Sequence, residues 1–376
     1  MYNRDAVKKL LKQLIQAETT TERGESAAAD IISAELGRSG MESRIDRWGQ
    51  NRANLITQIK SAGQRAPLLF ACHLDVVPPG EADWKYPPFA GLESDGKIYG
   101  RGSADMKGGI TAIITAVRQL VDPGVRLQGD IIFFAAAGEE TDSCGAKRFV
   151  HDWGRMPALT GVIIPEPTDF DVVTAHRGML WLEVITKGQA AHGSTPQLGI
   201  NAIASMRSLL DELEYYEIQC KPHKLLGQCS MSINTIQGGK AINIVPDKCS
   251  IGVDIRTLPG QNPQDIIEDF ERMFAKLKQK NPQFEAQVSV VREVGALETD
   301  SNCDFVRDFC SAVGIGETRA VGFTTDGPHL AALGAPVVIF GPGKPDVCHK
   351  PDEYIDLADV EKAVTFYKNL ILRFLA

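Results

Sequence analysis

The chain has 376 residues, 43% apolar and 23% charged, with a formal net charge of -8. That length exceeds one ordinary core and fits two domains, and the composition is that of a soluble globular protein rather than a fibrous or disordered one. The acidic balance argues against nucleic acid or an anionic membrane as the main partner, and no stretch approaches the roughly 18 to 20 apolar residues of a membrane span. The N-terminal MYNRDAVKKLLKQLIQ is amphipathic and charged with no apolar signal core, so a cytoplasmic location is expected. The eight cysteines include no C-x-x-C pair, and reduced thiols are expected.

In chain order, helix patterns from about Arg4 to Gln16 and about Glu25 to Gly40 precede apolar runs at Ala53–Ile59 and Pro67–Ala71. A helical stretch follows Asp105 (GGITAIITAVRQLV), then the strand DIIFFAAAG, the helix CGAKRFVHDW and the strand GVIIP. This alternation predicts an α/β domain with a mostly parallel central sheet, which carries ligands at the carboxyl ends of its strands. From Met179 the texture changes to strand (MLWLEVITKG), helix (GINAIASMRSLLDELEYY), two strands (CSMSINTIQGG, KCSIGVDIRTL), helix (PQDIIEDFERMFAKLKQK) and strand (EAQVSVVRE). That βαββαβ order predicts an inserted ferredoxin-like α+β unit. The α/β texture resumes after about Gly295, with a helix near Asp304–Val313, the strand PVVIF and a helix over Leu357–Leu375. The catalytic domain is therefore expected in two pieces, residues 1–176 and 295–376, around an insert at 177–294.

The polar residues at the strand ends carry the chemistry. In LLFACHLDVVPPG, His73 and Asp75 stand at i and i+2, the same face of a strand. An isolated H-x-D is ordinarily a local pair; a metal ligand with its orienting carboxylate needs further ligands elsewhere. GKIYGRGSADMKGG has neither phosphate-loop spacing, and it delivers Asp105 just ahead of a helix, where a helix cap is the ordinary reading. Glu139 and Glu140 end the most apolar strand, where adjacent carboxylates repel unless something positive sits between them. Glu166 in VIIPEPTD ends another strand, and His349 lies in the loop after PVVIF. Together these supply His73, His349, Asp105, Glu140 and Glu166 as ligands, with Glu139 to spare as a general base. The set fits a two-metal site in which one carboxylate bridges ions roughly 3.5 Å apart. Two divalent cations outweigh three carboxylates, and the residual charge polarises a carbonyl and acidifies a bridging water.

In order along the chain, HLDVVP, W...PF (Trp84 to Phe89), DGKIYGRGSADMKGG, AAAGEE, PEPT, AHGSTPQLG, NIVPD, DIRTLPG and GPGKPDVCHKPDEY resemble the metallopeptidase M20 family. The likeness is to its acetylornithine deacetylase and succinyl-diaminopimelate desuccinylase group, with carboxypeptidase G2-like enzymes near by. The resemblance implies a phosphorylase/hydrolase-like catalytic domain with a lid and dimerisation domain, and two divalent ions, zinc first with cobalt or manganese as alternatives. It makes Asp105 the bridging ligand, with His73 and Glu166 completing one ion and Glu140 and His349 the other. It makes Glu139 the general base and acid, and Asp75 the residue orienting His73. His192 of AHGS matches a histidine that steadies the oxyanion, in the family usually from the partner subunit. Asn243 and Arg256 match positions that contact the substrate, and Thr324 a loop near it. On the residues alone, Arg256 equally suits an ion pair with Asp254, while Asn243 and Thr324 suit plain turns. Cys72 and Pro165 stand where relatives commonly carry glycine. A thiolate at Cys72 or Cys348 would favour zinc, though consecutive strand residues alternate and would turn Cys72 away.

The implied function is hydrolysis of the amide of a small N-acyl amino acid by a cytoplasmic homodimer, of deacetylase or desuccinylase type. GPG followed by HKPDEY leans to the first and TTDG to the second. A metallo-exopeptidase uses the same metals, and a non-catalytic binding protein is the alternative from another class.

Overall fold

The computed structural model describes residues 3–153 and 158–376. The chain divides into two compact units, one over residues 1–174, 299–320 and 325–376, the other over 175–298 and 321–324. The first begins with α1 (Arg4–Gln16), whose buried Val7, Leu10, Leu11 and Leu14 recur at helical spacing, and α2 (Ser26–Gly37). Next come β1 (Ser43–Trp48), β2 (Arg52–Ile59), β3 (Arg65–His73) and the short strands β4 (Leu92–Ser94) and β5 (Lys97–Tyr99). Then follow α3 (Gly108–Val121), β6 (Gly129–Ala136), α4 (Cys144–Trp153), β7 (Gly161–Ile164) and β8 (Val172–His176).

The second unit contains β9 (Gly178–Lys187), α5 (Ala202–Leu213), β10 (Ser230–Gly238), β11 (Lys248–Thr257), α6 (Pro263–Lys280), β12 (Glu285–Val294) and β13 (Leu297–Glu298). Its antiparallel sheet runs β10-β11-β9-β12, the strand order of a ferredoxin-like unit. Leu180, Leu182, Val184, Ile251, Val253 and Ile255 alternate inward and bury Met206, Leu209 and Phe270 of the two helices. The outward-facing residues of β10 are exposed, as expected of a sheet with one covered face.

The first unit resumes with α7 (Asp304–Val313), β14 (Thr318–Val321), α8 (Gly327–Ala331), β15 (Val337–Ile339), β16 (Tyr354–Asp356) and α9 (Leu357–Leu375). Its main sheet runs β1-β2-β6-β3-β7-β15-β8. The four central strands are mutually parallel, and β2 and β8 flank them antiparallel. Leu68, Phe70, Ile132, Phe134 and Val162 are fully covered, which is why these strands read as unbroken apolar runs rather than alternating ones. The parallel register aligns the strand ends, His73 opposite Ala136 and Phe70 opposite Ile163, so the chain leaves β3, β6, β7 and β15 along one edge of the sheet.

Several elements have no counterpart in the sequence reading. β1 (SRIDRW) is half-buried and charge-rich, and β4, β5 and β16 are three residues each, too short to show a period. No described helix is long and apolar enough to cross a membrane.

Candidate metal centre

The polar residues at that sheet edge converge. β3 ends on His73, and its Nδ1 lies 3.0 Å from the backbone carbonyl of Asp75. Donating there keeps a proton on Nδ1 and leaves Nε2 as the ring nitrogen that faces inward. Nε2 is 3.0 Å from Asp105 Oδ1 and 3.7 Å from Glu166 Oε1. The other oxygen of Asp105, Oδ2, is 3.2 Å from His349 Nε2, which in turn is 2.9 Å from Glu140 Oε1. Asp105 thus turns one oxygen to His73 and the other to His349. Ligand atoms of His73, Asp105 and Glu140 lie within 4.8 Å of one another, close enough to hold a metal ion.

Two local details differ from a plain helix cap and a plain strand. Asp105 caps no helix: it sits in an irregular turn, Ser103–Lys107, and Lys107 occupies the position before α3. The following glycines serve close approach, since a Cβ on Gly109 would stand 2.4 Å from the carbonyl of Pro165 and one on Gly108 2.2 Å from Ile355. Asp75 lies beyond the end of β3, so it shares no strand face with His73, and its carboxylate is 3.6 Å from His73 Nδ1. That carboxylate also accepts three backbone N–H bonds, Gly138 and Glu139 on Oδ1 and Glu140 on Oδ2, at 3.0–3.1 Å. Asp75 therefore moulds the turn that presents both glutamates.

The electrostatics show what the cluster lacks. Burial pushes the carboxyls of Glu139, Glu140 and Glu166 above the usual range, and neighbouring carboxylates add to it. Burial alone would lower His73, but Glu166, Asp105 and Asp75 outweigh it and raise the imidazole well above its ordinary value. Hydrogen bonds to Asp105 and Glu140 raise His349 to about 10. Asp105 is the exception: burial would raise it, yet the two imidazoles flanking it hold it far below the carboxylate range. Protons are retained wherever a cation would relieve the repulsion, and imidazole with carboxylate is a donor set that suits zinc and similar divalent ions. The residues present fit such ions.

The cysteines beside the histidines do not join this set. Burial pushes both thiols up, Cys348 also under the influence of Asp105 and Glu353, which disfavours thiolate ligands. All eight cysteines are free.

The remaining candidates belong to the second unit. His192 is exposed, with Nδ1 2.7 Å from the Ser194 hydroxyl, and its segment bridges to Ile244 while the Asn243 carbonyl accepts from Gly193 N–H. Arg256 forms the ion pair with Asp254 that its sequence context allowed, at 2.9 Å. Thr324 is half-buried in the segment 321–324.

Glu353 and Arg101 were not legible as site residues. Glu353 is fully buried, accepts from the amides of Ala104 and Asp105 at 3.1 and 3.2 Å, and pairs with Arg101 at 2.6 Å. A glutamate four residues past His349 reads as surface in a loop sequence; only its burial gives it away.

The chain is 29% identical to the acetylornithine deacetylase of Myxococcus xanthus, covering 98% of this chain and 97% of that one. It is 30% identical to a probable succinyl-diaminopimelate desuccinylase of Staphylococcus aureus, covering 97% of each. Its fold is similar to that of an M20 family metallo-carboxypeptidase from Sulfolobus solfataricus (TM-score 0.80, 18% identity, 100% and 99% of the two chains). It is similar also to that of an aminopeptidase from Bacillus cereus (TM-score 0.78, 21% identity, 99% of each). Residues 69–373 match peptidase family M20/M25/M40, the span that holds every residue of the strand-edge cluster. The chain belongs to that family and is a metal-dependent hydrolase of amide bonds.

Proposed function

We propose that the chain is a two-metal amidohydrolase that removes the acyl group from a small N-acyl amino acid, of acetylornithine deacetylase or succinyl-diaminopimelate desuccinylase type. The observation that carries the reading is Asp105, whose two oxygens face two different histidines, His73 and His349. His73 and Glu166 would hold one ion with it, and His349 and Glu140 the other. Zinc suits these donors, with cobalt or manganese as substitutes, and such ions supply Lewis acidity toward the amide carbonyl and acidify water.

The chain's own groups handle the protons. Glu139 takes a proton from the attacking water and passes it to the leaving amine, so one water and one amide become a carboxylic acid and an amine. Burial and the carboxylates Glu140, Asp326 and Glu166 raise its proton affinity against the opposing pull of His73, which suits a residue that must hold a proton between the two steps. Asp75 keeps Glu139 in place through its backbone amide. From the second unit, His192 steadies the developing oxyanion, and Arg256, Asn243 and Thr324 meet the substrate, Arg256 through a carboxylate. Exposed Ile233 and Ile236 on the edge strand β10 support a homodimer through this unit.

Deacylase is preferred to exopeptidase because relatives named for deacylation are about 30% identical over nearly the full chain, while the peptidases at 18–21% share the fold. A panel of N-acetyl and N-succinyl amino acids and dipeptides, run on zinc-, cobalt- and manganese-loaded protein, tests it. Turnover of acyl amino acids is expected; rapid dipeptide cleavage without it makes the chain an exopeptidase, and a metal-loaded chain inert to all of them a binding protein.

A further inference from the structure

We infer that Glu353, acting with Arg101, is the positioning residue that ties the turn carrying Asp105 to the loop carrying His349, and so shapes the ion position those two ligands share. The inference rests on the two-metal reading above. Glu353 is 0% exposed and Arg101 2%. One carboxylate oxygen, Oε1, accepts the amides of Ala104 and Asp105, and the other, Oε2, accepts Nη1 of Arg101. All three of these partners are donors. Glutamine would aim an NH2 group at one of them, and aspartate is a methylene too short to reach.

The contact is aimed at a ligand rather than at the general core. The turn it holds has irregular backbone at Asp105 itself, so nothing in a helix or strand ladder fixes that residue. On its other side Glu353 is locked by pairing of β16 with β5 and by its own carbonyl, which accepts from Gly100 N–H at 2.8 Å. Four residues upstream, His349 adopts φ +62°, and Asp352 φ +57°, left-handed conformations that side chains avoid unless the surroundings impose them. Arg101 bridges into this same loop at the Lys350 carbonyl and lies 5.1 Å from the Trp84 ring. Glu353 and Arg101 thus clamp together two pieces of chain, the residue-105 turn and the residue-349 loop, that both face one ion position. The ligands His73 and Glu166 come instead from the ends of β3 and β7.

Removing the clamp is therefore expected to weaken one ion selectively. The test is titration of the metal-free full chain with Co2+, followed by calorimetry and visible absorption. The wild-type chain is expected to take two ions. Glu353→Gln is expected to bind one as the wild type does and the other about 10–100-fold more weakly, with a changed cobalt spectrum for that ion alone. The double variant Arg101→Met, Glu353→Gln leaves no unpaired buried guanidinium, so it decides the matter if the single variant fails to fold; the same selective loss is expected. Two ions bound with wild-type affinities, or both weakened alike, would overturn the positioning role. A wild-type chain that takes fewer than two ions overturns the two-metal reading, and this inference falls with it.

Discussion

The two units of the chain handle their polar residues differently. In the first, His73, Asp75 and Glu166 are buried, and Asp75 is held by three backbone amides. In the second, His192 is exposed and bonded to a neighbour two residues away, and Arg256 is paired with Asp254, also two residues away. A buried charge is costly unless its surroundings supply partners, so the first unit must specify each site residue through distant chain. An exposed residue needs no such specification. The contrast teaches where substitutions should disturb the metals and where they should spare them.

The largest effect is expected at Glu139. Glu139→Gln keeps the shape and removes the proton acceptor, so kcat should fall by about 10²–10⁴-fold with two ions still bound. Glu140→Gln should instead cost metal, since Glu140 reaches His349 at 2.9 Å. Turnover measured alongside metal content separates the two; metal loss from the Glu139 variant would reverse the roles of these neighbours.

His192 tests the other side of the comparison. His192→Ala should lower kcat by about 10²–10³-fold, the size of one lost oxyanion donor, and leave metal content untouched. A variant with full activity would assign His192 to its bond with Ser194 and nothing more.

What could be read in advance follows the same division. The end of β6 was legible because Glu139 and Glu140 follow Phe133, Phe134 and three alanines that are almost wholly buried, a place where carboxylates need a reason. His73 and Glu166 were legible for the same cause. Glu353 was not, because Pro351, Asp352 and Glu353 form a polar loop sequence, and burial there depends on the chain near residue 101. For Asp75 the i, i+2 argument does not hold, because that spacing describes a strand and β3 stops at His73. Among the folds of the two units, long elements such as α6 and α9 announced themselves by period, whereas the β4, β5 and β16 sheet that brings Glu353 to the centre has strands too short for one.

Asp75→Asn should have a smaller effect than either catalytic substitution. The amide would turn an NH2 group toward one of the N–H donors at Gly138, Glu139 or Glu140, loosening the turn that carries both glutamates. A fall of about 10–100-fold in metal affinity or turnover is expected, together with about 1–3 kcal/mol of stability in denaturant unfolding. Unchanged metal affinity in a fully folded variant would reduce Asp75 to a support of the fold.

The pH dependence of metal uptake gives the mildest test. Without ions, His349 is raised to about 10 by its bonds to Asp105 and Glu140, and His73 is raised well above its ordinary value by the surrounding carboxylates against the opposing effect of burial. Near neutral pH both imidazoles therefore carry a proton that an incoming ion must displace. The sign follows: affinity rises with pH, by about tenfold per unit for each displaced proton, until the imidazoles have titrated. Calorimetry of Zn2+ binding in buffers of different ionisation enthalpy reads the number of protons released, and at least one per ion is expected at pH 7. His349→Ala should reduce that release because it removes both a ligand and its proton. His192→Ala should leave it unchanged, since His192 is bonded to Ser194 within its own unit. Equal effects from the two histidines would erase the distinction between the units, because an imidazole bonded only to Ser194 would then be as strongly coupled to metal uptake as one bonded to Asp105 and Glu140.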